Sequence, residues 1–258
     1  MIDPAALLPE LEAAAKQAGD VILAIYRTDF DVEQKSDFSP VTQADVDAEA
    51  VILDALQRLT PDIPVIAEEE VSAGRVPDVG NIFWLVDPLD GTREFLNRNG
   101  EFTVNIALVQ DRRPVLGVVH APDRGLTFTG SLPGRATRQE GDGPVKTIHV
   151  RTPPDHGVTV VASRRHGSAE EREHFLEGRK VADRITCGSS LKFCVVASGE
   201  ADIYPRFGPT MEWDTAAGHA VLAAAGGCIT TTDGGKFLYR KPDFLNPNFI
   251  AWGSLRPS

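Results

Sequence analysis

The sequence lacks any apolar run long enough to cross a membrane, and its first residues carry neither a basic n-region nor a continuous apolar core. Basic residues are fewer than acidic ones: the chain has 26 Lys and Arg and 37 Asp and Glu, which gives a net charge of -11. Such an acidic chain is a poor match for nucleic acid, so an anionic ligand would need a metal ion or local basic residues. We expect a cytoplasmic protein that binds no nucleic acid. Peripheral association with the cytoplasmic face of the inner membrane stays open.

Cysteine is also scarce. Cys187, Cys194 and Cys228 show no close ligand spacing and flank core-like segments, so we interpret them as reduced packing residues. The chain has no internal repeat, low-complexity segment or heptad, and no G-x-x-x-x-G-K-[ST] loop, which argues against a kinase or nucleoside triphosphatase. Its 258 residues, 42% of them hydrophobic, can bury a substantial core as one unit or two lobes.

Two acids bracket a proline directly after a short apolar run. Phe83 to Val86 is long enough for a buried strand and too short for a helix, and the next six residues are Asp87, Pro88, Leu89, Asp90, Gly91 and Thr92. Proline restricts its own φ and glycine permits a sharp bend, so the Leu89 carbonyl can point the same way as the two carboxylates. Carboxylate and carbonyl oxygens are the ligands of Mg²⁺. The alternative is a tight turn with solvated acids.

Acids follow a second short strand as well. Residues 64–67 have the composition of a strand and lead into Glu68, Glu69 and Glu70. If neighbouring strands bring the two acidic ends together, they form a metal site; the alternative for the three glutamates is a solvated turn. Asp214 precedes a helix of small residues over 215–225, where it could serve only as the N-cap.

Further along the chain, several polar residues allow both a structural and a functional interpretation. Thr42 and Asp45 have the spacing of a capping box, so local sequence favours a helix cap for Asp45. A strand over 158–162 leads into a cationic stretch that ends at His166, which could contact an anion or lie on the surface. Gly188-Ser189-Ser190 opens a helix over 191–197, and these residues could bind phosphate or cap the helix.

The remaining pattern predicts the elements around these motifs. Apolar residues at steps of three and four predict helices over 7–25 and 48–59. Short β-rich runs predict a meandering antiparallel sheet over 101–109, 114–120 and 126–129. Residues 130–144, rich in Gly and Pro, are predicted as a loop, and the chain is expected to change lobes near Pro153-Pro154.

Taken together, the motifs resemble those of the lithium-sensitive, magnesium-dependent phosphomonoesterases of the inositol monophosphatase superfamily. DPLDGT at 87–92 follows a strand and WDTAAG at 213–218 opens a late helix, while SPVTQAD at 39–45 and the acidic turn at 68–70 extend the match over nearly the whole chain. Within the superfamily, REFLNRNGEFTVNIAL, GSSLKFC and YPRFGPTMEWDTAAGHAV are most similar to the 3′(2′),5′-bisphosphate nucleotidases of the CysQ type.

The resemblance implies a fold and an activity. The expected fold is α+β or α/β, with layers in the order α-β-α-β-α, an N-terminal lobe over 1–153 that carries the metal-binding loops and a C-terminal lobe over 154–258 that completes the site. The implied reaction converts adenosine 3′,5′-bisphosphate to AMP and phosphate, which recycles a by-product of sulfate assimilation. The alternatives are an inositol or other polyol monophosphatase of the same fold and a non-catalytic protein that binds metal and phosphate. A monomer and a homodimer both stay open.

The resemblance also implies roles for individual residues. Two or three Mg²⁺ ions would be held by Glu68, Asp87, the Leu89 carbonyl, Asp90 and Asp214. Thr92, held by Asp45, would orient and help deprotonate the attacking water; Glu68 is the alternative proton acceptor. The implied substrate contacts are Glu68, Leu89, Asp90, Gly91, Thr92, Ser163, His166, Gly188, Lys192, Arg206 and Asp214.

Arg206 stands where the inositol phosphatases are expected to have a glutamate that accepts hydrogen bonds from substrate hydroxyls. A guanidinium offers a planar fork of donors that matches phosphate oxygens, so Arg206 is predicted to bind the second phosphate of the substrate. The alternative is a surface arginine paired with Glu200 or Glu212.

Overall fold

The computed structural model describes residues 3–28, 33–34, 40–163 and 168–255. The α-helices of this part of the chain are α1 (Pro4–Tyr26), α2 (Gln43–Leu59), α3 (Glu68–Ser72), α4 (Thr92–Leu96), α5 (Ala169–Leu176), α6 (Leu191–Ala197) and α7 (Trp213–Ala224). Two short 3₁₀ helices cover Pro122–Arg124 and Pro242–Phe244.

The strands form two main sheets and two short pairs. The larger sheet has seven strands in sequence order, β3 (Val65–Ala67), β4 (Ile82–Asp90), β5 (Thr103–Gln110), β6 (Arg113–Ala121), β7 (Leu126–Ser131), β8 (Arg135–Glu140) and β9 (Lys146–Thr147). The second sheet has the order β11 (Val181–Thr186), β10 (Val158–Ala162), β12 (Ile203–Arg206), β16 (Phe249–Trp252) and β14 (Cys228–Thr231). The short pairs join β1 (Glu33–Gln34) to β2 (Pro40–Val41) and β13 (Thr210–Met211) to β15 (Leu245–Asn246).

The larger sheet is covered by helices on both faces, and β4 shows why its sequence is continuously apolar. Successive strand residues point to opposite faces. Phe83 and Leu85 therefore belong to the core that includes α6 and α7, whereas Trp84 and Val86 belong to the core that includes α1 and α2. A strand that is buried on both faces has no polar alternation, so the run at 83–86 gives no sign of periodicity.

The second sheet adds two more layers. Its inner face, with Tyr204 and Phe249, packs into the same core as α6 and α7. Its outer face, with Ile203 and Trp252, packs against Phe175 of α5. The layers thus run from α1 and α2, through the large sheet, α6 and α7, and the second sheet, to α5, and the predicted α-β-α-β-α fold is confirmed. The proposed boundary between 1–153 and 154–258 stays a prediction.

Two sequence-based predictions of local structure need correction. Residues 130–144 were predicted as a loop, but they contain the end of β7 and the whole of β8. The RATRQE sequence of β8 has few of the β-branched or aromatic residues that mark strands, and its pairing with β7 supplies the stability that composition does not. The late helix begins at Trp213 and its N-cap is Glu212, so the interpretation of Asp214 as an N-cap is wrong.

Small residues bring α7 unusually close to the large sheet. A Cβ built on Gly117 of β6 would lie 2.5 Å from the carbonyl oxygen of Ala217 and 2.8 Å from Cβ of Ala220. A Cβ on Gly130 of β7 would lie 2.5 Å from Cα of Val221. These contacts are to backbone atoms and to an alanine Cβ, none of which can rotate away. Because α7 carries Asp214, this close approach also determines how near that carboxylate comes to the acids of the large sheet.

The contact predicts a stability effect. Gly117→Ala is expected to lower the free energy of unfolding by about 1–3 kcal/mol, because the added methyl group overpacks a contact between two backbones. Denaturant titration with circular dichroism measures this change. The matched control is Gly80→Ala, since a Cβ at Gly80 meets no atom within 4 Å. Equal losses in the two variants would contradict the packing argument.

Candidate active site

The DPLDGT segment forms the irregular end of β4. Pairing with β5 is regular up to Asp87 opposite Asn105, and then the register shifts between Asp87 and Asp90. Such irregularities bend a strand and redirect its side chains. The turn is closed by a hydrogen bond from Leu89 N–H to Asp87 Oδ1, at 3.1 Å, and by Gly91, whose φ of 91° lies in the left-handed region.

The acids of the two strand ends meet, which is the condition under which the sequence allowed a metal site. Strand β3 runs parallel to β4 with Ala67 opposite Val86, so the next residues, Glu68 at the start of α3 and Asp87 within β4, follow a directly paired position. Helix α7 brings Asp214 to them. Carboxylate oxygens of Glu68, Asp87 and Asp214 all lie within 4.8 Å of one another. Asp87 is buried, so a solvated turn does not describe this segment.

Asp90 lies beside this cluster and is held from two elements. The hydroxyl of Ser189 donates to Asp90 Oδ2 at 2.7 Å and also lies 3.1 Å from the Asp90 carbonyl oxygen. The amide of Asn105 donates to the same carboxylate oxygen at 3.3 Å and to the Ser190 hydroxyl at 3.1 Å. These contacts orient the Asp90 side chain. Sequence reasoning had considered the serines only as caps or phosphate contacts and had not considered Asn105.

The serines at 189 and 190 do not cap helix α6. Ser190 occupies the N-cap position without a side-chain capping bond, and its hydroxyl donates instead to the Asp214 carbonyl oxygen at 2.7 Å. Ser189 has a φ of 55°, an uncommon conformation for a residue other than glycine. The turn before α6 therefore links the segments that carry Asp90 and Asp214, and the capping interpretation is wrong.

Mutual repulsion among the acids shows that the cluster suits a cation. Burial raises the pKa of Asp214 well above its usual range, and the nearby carboxylates of Asp90 and Glu68 raise it further. A cation would favour the charged forms and reverse this effect. The donors are carboxylates, with the Leu89 carbonyl lining the same cleft, and no nitrogen or sulfur ligand belongs to the acidic group found in the described residues. Oxygen-only donor sets fit hard divalent cations such as Mg²⁺.

Asp45 serves as a helix cap and also faces Thr92. Its Oδ2 accepts hydrogen bonds from the N–H and the hydroxyl of Thr42, both at 2.8 Å, which completes the predicted capping box. Its Oδ1 lies 3.5 Å from the Thr92 hydroxyl, which is also 3.4 Å from the Leu89 carbonyl oxygen. Burial raises the pKa of Asp45 to about 7, while the Thr42 hydrogen bonds oppose the rise. A carboxyl group with such a pKa can hold or release a proton near neutral pH.

A cleft of about 320 Å³ opens beside the acids. Of the predicted substrate contacts, those that line it are Glu68, Leu89, Asp90, Gly91, Thr92, Ser163, Lys192, Arg206 and Asp214. Gly188 is not among the lining residues; its N–H donates to Glu101 Oε2 at 2.9 Å, and the next residue, Ser189, lines the cleft. The prediction for His166 falls outside the described residues. Tyr204 and Phe249 also line the cleft, although they appeared in the sequence only as strand residues.

Among the described residues, two buried cations line the cleft, and their surroundings differ. Lys192 donates from Nζ to the Ser189 carbonyl oxygen at 2.5 Å. Arg206 is 9% exposed; one terminal nitrogen donates to the Pro209 carbonyl oxygen at 3.0 Å, and its buried Nε has no hydrogen-bond partner among the residues that the structure describes. A buried donor without a partner is costly.

The predicted alternative for Arg206, a surface ion pair, is wrong. Glu200 pairs with Arg138 at 2.9 Å, and Glu212 pairs with Lys241 at 2.6 Å. Arg206 itself is buried in the wall of the cleft. Arg206 lies on an inner strand of the second sheet, which sequence alone did not reveal.

Comparison with known proteins identifies the family. A sequence model of the inositol monophosphatase family matches residues 3–256. The chain belongs to the inositol monophosphatase family. Among its relatives in this family, the 3′(2′),5′-bisphosphate nucleotidase CysQ of Escherichia coli is 48% identical over 94% of this chain and 98% of the relative. The enzyme of the same name from Haemophilus influenzae is 31% identical over 96% of this chain and 93% of its own.

Solved structures agree with this assignment to the inositol monophosphatase family. The crystal structure of CysQ from Bacteroides thetaiotaomicron has a TM-score of 0.80 and 37% identity, covering 96% of this chain and 97% of its own. The inositol monophosphatase from Anabaena has a TM-score of 0.74 and 27% identity, covering 96% and 91%. No helix among the described residues is long and apolar enough to span a membrane. The individual roles assigned to the site residues stay predictions.

Proposed function

We propose that the protein is a magnesium-dependent phosphomonoesterase that hydrolyses adenosine 3′,5′-bisphosphate to AMP and phosphate. The observation that carries the proposal is the meeting of Glu68, Asp87 and Asp214 in a cleft whose wall also holds a buried arginine. The first feature suits phosphate chemistry in general, and the second suits a substrate with another phosphate. The names of the relatives at 31–48% identity support the same substrate class.

The cations would be held by the carboxylates of Glu68, Asp87, Asp90 and Asp214, with the carbonyl oxygen of Leu89. Two or three Mg²⁺ ions are proposed. The chemistry they supply when bound is neutralisation of phosphoryl charge and activation of the attacking water. The protein's own contribution is to hold several acids at one place, which it achieves with the β3 and β4 strand ends, helix α7 and the hydrogen bonds of Ser189 and Asn105.

The attacking water would be oriented by the Thr92 hydroxyl. The Asp45 carboxylate lies 3.5 Å from that hydroxyl, so Asp45 can accept a hydrogen bond from Thr92. This hydrogen bond would leave a lone pair of the Thr92 oxygen directed towards the water. Hydrogen bonds of this kind are often long in an empty site and shorten when substrate binds. Glu68, in the acidic cluster, is the alternative proton acceptor.

The second phosphate would lie against Arg206. Arg206 lines the cleft, and its guanidinium offers charged donors that match the geometry of phosphate oxygens. Lys192 lines the same cleft and adds positive charge. In a chain with a net charge of -11, these local cations supply the attraction for an anionic substrate.

A panel of phosphorylated substrates tests the proposal. Purified protein is assayed for phosphate release from adenosine 3′,5′-bisphosphate, AMP, inositol 1-phosphate and a sugar phosphate, with Mg²⁺ and with a chelator. We expect metal-dependent release from the bisphosphate at a kcat/KM far above that of the others. Preference for inositol phosphate would favour a polyol monophosphatase. Nucleotide binding without turnover would favour a regulatory protein.

Substrate choice is predicted to depend on Arg206. Arg206→Glu should raise KM for adenosine 3′,5′-bisphosphate, with a loss of about 2–3 kcal/mol in kcat/KM from a lost charge-assisted contact and new repulsion. Hydrolysis of a substrate with one phosphate should be largely unchanged. Arg206→Gln, which removes the charge without reversing it, should show a smaller effect in the same direction.

The control for this prediction is Arg135→Glu, which reverses the charge of an exposed arginine that does not line the cleft. Circular dichroism and thermal melting check that each variant folds. Equal losses on both kinds of substrate, or no loss on either, would rule out Arg206 as the contact for the second phosphate.

A further inference from the structure

Helix α3 begins without a cap of its own. The first N–H groups of a helix have no partner within the helix and need an acceptor. The N-cap of α3 is Ala67, whose side chain cannot accept a hydrogen bond. The helix has only five residues, Glu68–Ser72; none of them is fully buried, and Val71 is the side chain that packs against the main core.

A glutamate from another helix supplies the missing acceptor. Glu49 of α2 accepts two hydrogen bonds. Its Oε2 accepts from the N–H of Glu69 at 2.9 Å, and its Oε1 accepts from the N–H of Glu70 at 3.0 Å. Each carboxylate oxygen thus satisfies one backbone donor of the first turn. Glu49 is 3% exposed, so its position is determined by the core around α2 and not by solvent. A carboxylate at a helix N-terminus is also favoured by the helix dipole.

The two capped N–H groups directly follow Glu68, the member of the acidic cluster that α3 carries. On its other side, Glu68 follows β3, where Ala67 pairs with Val86 of β4. The backbone of Glu68 is therefore held by the sheet before it and by Glu49 after it. Without the second attachment, the carboxylate of Glu68 would keep its connection to the sheet but lose its orientation towards Asp87 and Asp214.

Glu49 lies one helical turn after Asp45. Residues four apart share a face of an α-helix, and both side chains are buried, with Asp45 at 2% and Glu49 at 3% exposure. Asp45 faces Thr92 and Glu49 faces α3. One face of α2 thus holds two separate parts of the site, the residue next to the water and the helix that bears an acid.

We propose that Glu49 is a positioning residue for the metal site, which caps α3 and thereby directs the Glu68 carboxylate towards the other acids. The inference rests on the proposed function, because it concerns the same metal site. Groups that orient metal ligands typically account for 10- to 100-fold in metal affinity or activity. Glu49 does not itself join the acidic cluster in the described residues.

The test measures Mg²⁺ binding directly. Glu49→Gln keeps the size of the side chain, but its NH₂ group faces a backbone N–H, so one of the two hydrogen bonds is lost. Isothermal titration of the full chain with Mg²⁺, without substrate, should show an affinity about tenfold weaker than that of the unaltered protein. Glu10→Gln, an exposed acid on α1 that removes the same charge, is the control and should bind Mg²⁺ normally.

A compensating variant separates positioning from general stability. Ala67 has the extended backbone of an N-cap, with φ of -121° and ψ of 145°. Ala67→Ser in the Glu49→Gln background places a hydroxyl where it can accept from the N–H of Glu69 or Glu70, and it should recover most of the lost Mg²⁺ affinity. Amide hydrogen exchange at those two residues should be faster in the single variant and slower again in the double variant.

The outcomes are distinct. Unchanged Mg²⁺ affinity in Glu49→Gln would overturn the inference while leaving the proposed function intact, and so would a loss that Ala67→Ser does not recover. Absence of Mg²⁺ binding by the unaltered protein would overturn the proposed function and the inference with it. If Glu49→Gln does not fold, Glu49→Asp gives the same comparison, because it keeps the charge but withdraws the oxygens by one methylene group.

Discussion

Asp90→Asn is expected to abolish phosphate release while leaving the fold intact. An amide is neutral and offers only one oxygen, so it is a poor replacement for a carboxylate that binds cations. The Ser189 and Asn105 hydrogen bonds to Asp90 can still be accepted by the amide oxygen, which preserves the local structure. We expect kcat to fall by on the order of 10³-fold or more, since loss of even one preorganised electrostatic contact can cost 10²–10³.

Steady-state kinetics across a Mg²⁺ titration measures this effect, with circular dichroism and thermal melting as checks on the fold. Asp62→Asn is the matched control, because Asp62 is exposed and does not line the cleft. Full turnover by Asp90→Asn would be incompatible with a role for Asp90 in binding the cations.

Thr92→Ala and Asp45→Asn should each reduce kcat by about 10²-fold or more with little change in Mg²⁺ affinity. Both act on the attacking water, and general acid or base groups typically contribute 10²–10⁴. If the two residues form one relay through the 3.5 Å contact of their oxygens, the double variant should be hardly slower than the more affected single variant.

The Asp45 variant also separates a catalytic role from a structural one. Its Oδ2 accepts two bonds from Thr42, and the amide oxygen of asparagine can accept them too, so the capping of α2 should survive. An Asp45→Asn variant with normal turnover would leave Asp45 as a helix cap only. Asp47→Asn, on the same helix but hydrogen bonded to Gln43, is the control for general effects of charge removal.

Local sequence was sufficient to predict those features whose interacting residues lie close together along the chain. The capping box of Thr42 and Asp45 was predicted correctly because its partners are three residues apart. Helix α6, Leu191–Ala197, has the predicted bounds. The sequence showed that acids follow two short strands, but it left open whether neighbouring strands bring them together; the parallel pairing of Ala67 with Val86 does so.

The substrate class and the fold family were inferred from several motifs that matched together. No single motif was sufficient for either inference. An isolated DPLDGT allows a tight turn, and an isolated Glu-Glu-Glu allows a solvated one. Their joint match with WDTAAG pointed to the family that the comparisons then identified. Motif spacing is informative here because one fold must bring all these segments to one place.

Only the tertiary structure decided which atoms meet. Asp45 and Thr92 are 47 residues apart, and nothing in either local sequence states that one carboxylate oxygen caps a helix while the other faces a hydroxyl. Ser189 reaches Asp90 across 99 residues, and Glu49 caps a helix 20 residues away. Periodicity and propensity report only on neighbours along the chain. Contacts such as these depend on the packing of whole layers, so the sequence determined the elements and their chemistry, and the packing determined their partners.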